Sequence, residues 1–142
     1  MEPAKRFFIK LDELRRALSS FGKLMDLNLE LLPDEDTRDI YRNARIQKFE
    51  ITLELLWKTI KVFVLWKEGA DVIYSKDAFK KFLLGDYISE ANYEVLADAI
   101  DDRNLLSHEY REGKFREVHD KLQEYLLAMI SAYDVLFNHS NQ

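Results

Sequence analysis

Apolar residues recur along most of this chain at steps of three and four positions, which is the spacing of one face of an α-helix. The first run predicts a helix over about residues 4–30, and the last run predicts one over about residues 114–137. The two stripes are Phe7, Leu11, Leu14, Leu18, Phe21 and Met25 in the first run, and Phe115, Val118, Leu122, Tyr125, Met129, Ala132 and Leu136 in the last. Both stripes indicate helices with one face in the core.

A second helix is predicted over about residues 36–67, and apolar residues occupy most of its sides. Pro33 ends the preceding helix, because a proline pushes the residue before it out of the helical region. Asp34 is the predicted N-cap, and Gly69 marks the exit. A helix that is apolar on most sides is expected at the centre of a bundle or at a subunit interface.

Two further helices are predicted between residue 75 and the last helix. Ser75 is predicted to cap a short helix that runs to about Leu84 and closes at Gly85. Ser89 is predicted to cap the next one. The inward side of that helix is expected to hold Ala91, Leu96, Ile100 and Leu106, and its outer side Glu94, Asp98 and Asp102. The outer acids indicate either a solvated face or a docking surface for a basic partner.

No segment shows the strict alternation that predicts a β-strand. The fold class expected from the pattern is therefore all-α. It is an up-and-down bundle of four main helices and one short helix, folded as a single domain over residues 1–142.

The composition of the chain excludes some kinds of site and bears on where the protein is found. The chain of 142 residues has no cysteine, which excludes disulfides and thiolate zinc sites. No apolar run reaches the roughly 18 residues that a membrane-spanning helix needs, so we expect a cytoplasmic protein. Residues 1–70 carry 13 basic and 12 acidic groups, whereas residues 71–142 carry 8 and 14. RNA bound to the acidic second half would need local basic groups or a partner chain to contact its phosphates.

The sequence has no motif for a bound metal or cofactor. It contains no glycine-rich phosphate loop, no Gly-x-Ser-x-Gly elbow and no His-Glu-x-x-His pair. The pair Asp34-x-Asp36 is explained by helix capping. His119 and His139 are interpreted as structural, and we assign neither of them a role.

The candidate chemistry lies in one short stretch, Asp101-Asp102-Arg103-Asn104-Leu105-Leu106-Ser107-His108-Glu109-Tyr110. Five residues along an unbroken helix correspond to about 500° of rotation, which leaves the side chains of Arg103 and His108 roughly 140° apart. Either the helix breaks between them, or the Arg of one subunit meets the His of another in a two-fold dimer. The structural alternative is an Arg103 paired with Asp101 or Asp102 and a His108 that caps the helix end.

A guanidinium and an imidazole together suffice for metal-free RNA cleavage. The imidazole can act as general base or acid, and the guanidinium can hold the phosphate while the ribose 2′-OH attacks it. Arg103 and His108 are therefore the candidate catalytic residues.

A second basic feature is the ridge of Arg38, Arg42 and Arg45, at positions i, i+4 and i+7 of the second predicted helix. It is either a phosphate-binding strip or a solvated face that is partly paired with neighbouring acids. Those acids are Asp34, Glu35 and Asp39.

Two segments of the chain resemble a known family. The stretch from Arg103 to Tyr110 is similar to the R-x4-6-H-x-Y signature of the HEPN superfamily. The run Ile46-Gln47-Lys48-Phe49-Glu50-Ile51-Thr52-Leu53-Glu54-Leu55-Leu56-Trp57-Lys58-Thr59-Ile60-Lys61, together with Asp101-Asp102-Arg103-Asn104, resembles the HepT-like nucleotidyltransferase substrate-binding proteins. The resemblance covers about residues 5–137. The segment Tyr74–Phe79 departs from it, because it lacks a proline that relatives often carry after the serine.

This resemblance implies a helical homodimer that pairs with a separate minimal nucleotidyltransferase in a toxin–antitoxin module. It implies that Arg103 and His108 serve RNA cleavage in an active toxin, with Asp102 and Asn104 in supporting positions. Tyr110 would accept AMP from the partner enzyme. Two functions follow: a binding subunit that presents substrate, or Tyr110 itself, to the nucleotidyltransferase, and a metal-independent ribonuclease. The two can coexist if AMP on Tyr110 blocks the cleft.

Overall fold

The computed structural model describes residues 1–108 and 112–141, and every regular element in these ranges is helical. The helices are α1 (Pro3–Asp26), α2 (Glu35–Glu68), α3 (Ser75–Leu84), α4 (Glu90–His108) and α5 (Glu112–Asn138). A single 3-10 turn, Leu29–Leu31, lies between α1 and α2. The predicted all-α fold of four main helices and one short helix is confirmed.

α2 is the central helix and contacts each of the other four. Its Asp34 cap is confirmed, because Asp34 Oδ1 accepts a hydrogen bond of 2.7 Å from the backbone N–H of Thr37. At the other end Gly69 adopts a left-handed conformation with φ of 67°, which a glycine reaches without steric cost. The stripes predicted for α1 and α5 pack against α2 in one continuous apolar core.

α1 ends at Asp26, which is earlier than the predicted residue 30. The backbone carbonyls that would continue the helix are occupied by a side chain from α2. Arg45 donates hydrogen bonds to the carbonyl oxygens of Leu24 and Leu27, at 3.0 and 2.7 Å. A long-range side-chain contact of this kind leaves no signal in the local spacing of apolar residues.

The caps of α3 differ from the prediction, whereas the α4 cap agrees with it. Ser75 is the first helical residue of α3 and not its cap, which is Tyr74. Gly85 follows the helix as predicted, but the left-handed residue is Asp86, with φ of 63°. Gly85 is required for another reason, since a Cβ there would lie 2.6 Å from the Tyr87 ring. Ser89 caps α4 as predicted, and its Oγ accepts from Asn92 N–H at 3.1 Å.

Two residues of α4 lie on sides that the sequence pattern did not predict. Ala91 is exposed, although it was expected to face inward. Asp102 was placed on the outer acidic face with Glu94 and Asp98, yet it is only 5% exposed and faces α5. None of the helices within the described ranges is long and apolar enough to cross a membrane.

Candidate functional site

Arg103 is held by a carboxylate of the central helix. Its Nη1 donates a hydrogen bond to Oε2 of Glu54, and the side chain is only 20% exposed. The same Glu54 oxygen accepts from Trp57 Nε1 at 2.9 Å, and Oε1 lies 3.2 Å from Lys58 Nζ. The structural alternative in which Arg103 pairs with Asp101 or Asp102 is wrong, because α4 turns the guanidinium toward Glu54 of α2.

The Arg103 guanidinium lines an open groove of about 450 Å³ between α1, α2 and α4. We call this the Arg103 groove. Its charged walls come from Lys10 of α1, from Glu50, Glu54 and Lys58 of α2, and from Arg103 itself. Three cations against two carboxylates give the groove a small positive surplus, although the second half of the chain is acidic. An anion can therefore enter it without facing net repulsion.

The two carboxylates of the groove lie one helical turn apart, and their pKa values are shifted in opposite directions. Burial raises the pKa of Glu50 above its ordinary value, and the nearby charge of Arg103 offsets this only in part. Burial acts in the same direction on Glu54, but hydrogen bonds from Trp57 and Lys58 and the charge of Arg103 outweigh it and lower its pKa. Glu54 is thus kept ionised, while Glu50 is the carboxyl that takes up a proton more readily.

Asp102 anchors the opposite side of α4 to α5. The Tyr125 hydroxyl donates to Asp102 Oδ2 at 2.5 Å, and Lys114 Nζ lies 3.0 Å from Oδ1. Tyr125 is buried and stacks on Phe49 of α2, with ring centroids 5.4 Å apart. Adjacent residues of α4 therefore contact different helices, since Asp102 faces α5 and Arg103 faces α2. The two contacts fix the rotation of α4 about its axis.

His108 is the last residue of α4 and is exposed. The helix is continuous from Glu90 to His108, so the break expected as one route to an Arg103–His108 contact is absent. The imidazole then points about 140° away from the guanidinium around the helix axis. Within one chain the helix directs these two side chains apart, and only the route through a second copy is left open.

Two other residues of the stretch that holds the motif, Asp101 and Asn104, lie at the surface of α4. Asn104 is exposed, and Asp101 forms an ion pair with Lys76 of α3 at 2.6 Å. Tyr110, the expected AMP acceptor, lies outside the described residues. The helices on either side of it are joined by the Asp102–Lys114 pair.

The arginine ridge of α2 is largely engaged by protein groups. Arg38 donates to the carbonyl oxygens of Leu29 and Leu32, at 3.1 and 3.2 Å, and Arg45 is buried against the end of α1. Arg42 contacts Glu35 and Asp39, at 2.6 and 2.7 Å. A phosphate bound along this ridge would have to displace these partners, which favours the structural interpretation.

His119 lies in a second groove, of about 700 Å³, between the first parts of α2 and α5. Burial lowers the pKa of the imidazole, and the charges of Arg45 and Arg42 add to the effect. Its Nε2 is shielded from solvent and has no hydrogen-bond partner within the described part of the chain. These features agree with a packed, neutral histidine.

Three residues of the site were missed in the sequence. Glu54 and Trp57 belong to the α2 segment that carries the family resemblance, which was a usable signal. Tyr125 was assigned only to the core stripe of α5, because periodicity places a side chain without saying what its hydroxyl contacts. Among residues 1–108 and 112–141, no group of three or more His, Asp or Glu side chains could hold a metal ion.

Comparison with known proteins decides the family. A family model described as "nucleotidyltransferase substrate binding protein like" matches residues 9–137. The chain belongs to this nucleotidyltransferase substrate-binding-like family. The match confirms the resemblance to nucleotidyltransferase substrate-binding proteins, and it includes residues of all five helices.

Solved structures similar to this nucleotidyltransferase substrate-binding-like chain share its fold. A crystal structure of a Thermus thermophilus protein matches with a TM-score of 0.75 and 25% identity, over 87% of this chain and 98% of the other. A structure described as tri-AMPylated Shewanella oneidensis HEPN toxin in complex with MNT antitoxin matches with a TM-score of 0.74 and 15% identity. That match covers 98% of this chain and 100% of the other. No curated protein matches the sequence.

Proposed function

We propose that this chain is the toxin-side subunit of a two-component module, and that its partner is a separate minimal nucleotidyltransferase. Membership of a family described as nucleotidyltransferase substrate-binding-like is the observation that carries the proposal. The similar Shewanella oneidensis fold, described as a HEPN toxin in complex with an MNT antitoxin, supports the same pairing. The exposed acids Glu94 and Asp98 on α4 give a basic partner surface a place to dock.

In this proposal Tyr110 accepts AMP from the partner enzyme. Its phenol oxygen bonds to the α-phosphorus of ATP, pyrophosphate leaves, and the phenolic proton passes to a base of the enzyme or to water. The tri-AMPylated state of the similar toxin supports this chemistry. Tyr110 follows His108, the last residue of α4, by two positions in the sequence, and the Asp102–Lys114 pair joins α4 to α5.

Copurification and mass measurement test this function. The full chain is mixed with the nucleotidyltransferase encoded beside it, with ATP and Mg²⁺, and the complex is isolated by size exclusion. We expect a stable complex and a mass gain of one or more AMP units on this chain. Tyr110→Phe should form the same complex without the mass gain. A chain that neither binds the enzyme nor gains mass would refute the proposal.

The second candidate function is metal-independent RNA cleavage by a homodimer, and the geometry of Arg103 favours it. The guanidinium lines an open groove and is oriented by Glu54, as a phosphate-holding group would need to be. Because α4 is unbroken, His108 would act on an RNA held by Arg103 of the second copy. Transfer of AMP to Tyr110 would then block the shared cleft, which joins the two functions.

Mixing two inactive variants tests whether the cleavage site is shared between copies. Single-stranded RNA is incubated without metal with Arg103→Ala, with His108→Ala, and with a refolded mixture of both. If the site is shared, each variant alone is inactive, and the mixture recovers about a quarter of wild-type activity. This fraction arises because about half of the dimers are mixed, and each mixed dimer has one complete site of two. Full activity of His108→Ala alone would exclude His108 as a catalytic residue.

A further inference from the structure

The Arg103 groove contains a carboxyl group that neither the fold nor the proposed chemistry has used. Glu50 lines the groove beside Arg103, one turn before Glu54 on the same face of α2. Within residues 1–108 and 112–141, no side chain forms a hydrogen bond or ion pair with it. Glu54, by contrast, is saturated by Arg103, Trp57 and Lys58.

Glu50 and Glu54 have pKa values shifted in opposite directions, as pairs of carboxyl groups in proton-transfer sites often do. When the environments of two neighbouring titratable groups push their pKa values apart, one stays charged and the other exchanges a proton. Here the pKa of Glu54 is lowered by its hydrogen bonds, while burial raises the pKa of Glu50 toward the range in which a general base works. Among the described residues, the charged groups that line the groove with Glu50 are Lys10 of α1, Glu54 and Lys58 of α2, and Arg103 of α4.

The position of His108 makes this carboxyl relevant to the reaction. The unbroken α4 turns the imidazole away from the guanidinium of its own chain, whereas Glu50 lines the groove beside that guanidinium and, among the described residues, has no hydrogen-bond or ion-pair partner. A phosphate held by Arg103 would bring the adjacent ribose hydroxyl into the same groove. Lys10 and Lys58 add positive charge on either side.

We propose that Glu50 is a further catalytic residue, the general base of the RNA cleavage that Arg103 supports. The inference rests on the second candidate function. The Glu50 carboxylate takes the proton of the attacking 2′-OH as the bond between O2′ and phosphorus forms. The bond from phosphorus to O5′ breaks, and the leaving O5′ takes a proton from the His108 imidazolium of the second copy. Arg103 balances the charge that builds on the phosphate oxygens.

The test is a pH profile of cleavage of single-stranded RNA by the full-length protein without metal. Three variants are compared with the wild type: Glu50→Gln, Glu50→Asp and Glu124→Gln. Glu124 is an exposed carboxylate on α5 outside the groove, so Glu124→Gln is a matched control for loss of one negative charge. Urea unfolding of each variant shows that the fold is intact.

We expect Glu50→Gln to lower kcat by about a hundredfold or more with little change in KM, as loss of a general base does. The acidic limb of the wild-type profile should lie above the ordinary carboxyl value of 4.5 and should vanish in Glu50→Gln. Glu50→Asp should restore part of the rate, and Glu124→Gln should leave it unchanged.

Two negative results are distinguishable. If the wild type cleaves and Glu50→Gln keeps both its rate and its acidic limb, Glu50 is not the base, and the cleavage function stands. If the wild type does not cleave single-stranded RNA, the cleavage function and the role of Glu50 in it both fail, while the pairing with a nucleotidyltransferase is unaffected.

Discussion

The carboxylate of Glu54 in α2 accepts a hydrogen bond from the guanidinium of Arg103 in α4. The two residues are 49 positions apart, and each belongs to one of the two segments in which the chain resembles its family. The contact joins the two segments, because a carboxylate of one holds the guanidinium of the other. The α2 segment supplies Glu54, which holds the arginine of the R-x4-H-x-Y motif at the edge of an open groove, and Trp57 and Lys58, which contact the same Glu54 carboxylate.

Removal of the Glu54 carboxylate should cost stability only modestly. Glu54→Ala deletes the acceptor shared by Arg103, Trp57 and Lys58, but Glu54 is 40% exposed and water replaces part of what is lost. We expect the free energy of unfolding to fall by about 1 kcal/mol in urea titrations. Glu94→Ala, which removes an exposed carboxylate from α4, is the control and should change it by less than about 0.5 kcal/mol. Equal effects of the two changes would mean that the Glu54 contacts contribute nothing to stability.

Asp102 should be more costly to remove than Glu54. In Asp102→Ala the buried Tyr125 hydroxyl loses its acceptor, and Lys114 loses its partner in α4. We expect a loss of about 3 kcal/mol, measured by urea unfolding at neutral pH. Tyr125→Phe removes only the hydroxyl and should cost about 1 kcal/mol. A double-mutant cycle that gives no coupling between positions 102 and 125 would contradict the contact.

The Asp102 contribution should depend on pH. Burial raises the pKa of its carboxyl, but the hydrogen bonds from Tyr125 and Lys114 outweigh burial and hold the pKa below the ordinary 3.8. A carboxylate with a lowered native pKa stabilises the fold above its ordinary pKa and loses that contribution as the pH falls through the native pKa. The difference in unfolding free energy between wild type and Asp102→Asn should therefore be largest near neutral pH and shrink below pH 3.8. If the difference in unfolding free energy instead grew as the pH fell, the lowered pKa of Asp102 would be contradicted.

The arginine ridge offers a test of structural against phosphate-binding roles. Arg45 is buried and caps the carbonyls at the end of α1, so Arg45→Met should lower the free energy of unfolding by about 2 kcal/mol. Among the described residues, the ion-pair partners of Arg42 are the exposed acids Glu35 and Asp39, so Arg42→Met should cost less than about 1 kcal/mol. RNA affinity, measured by fluorescence anisotropy, should be unchanged in Arg42→Met. A clear loss of affinity there would restore the phosphate-binding interpretation.

The fold could be predicted from the sequence because the stripes of α1 and α5 and the apolar α2 are local, periodic signals. The limits of α1 could not, because α1 ends where Arg45, 18 residues after Leu27, occupies its carbonyls. The side of α4 that Asp102 faces was missed for the same reason. Asp102 follows Glu94 and Asp98 at helical spacing, so the sequence pattern predicts a solvent-exposed side chain. Its partners in α5 are known only from the structure.

The motif predicts which residues form the candidate site, but it does not predict how their side chains are arranged. Arg103 and His108 were identified from the motif, and helix geometry already required them to diverge on an unbroken helix. The structural alternative paired Arg103 with its neighbour Asp101 or Asp102, whereas its partner in the structure, Glu54, lies 49 residues earlier. Sequence spacing gives directions along one helix, whereas an ion pair between helices depends on how the two pack.

Site-resolved mass spectrometry after incubation with the partner nucleotidyltransferase and ATP tests the central functional claim most directly. The chain has seven tyrosines, and Tyr74, at 70% exposure, is a built-in control for modification by accessibility alone. We expect AMP on the peptide that contains Tyr110 and none on the peptide that contains Tyr74. AMP on Tyr74, or no AMP on Tyr110 in a chain that binds the enzyme, would contradict it.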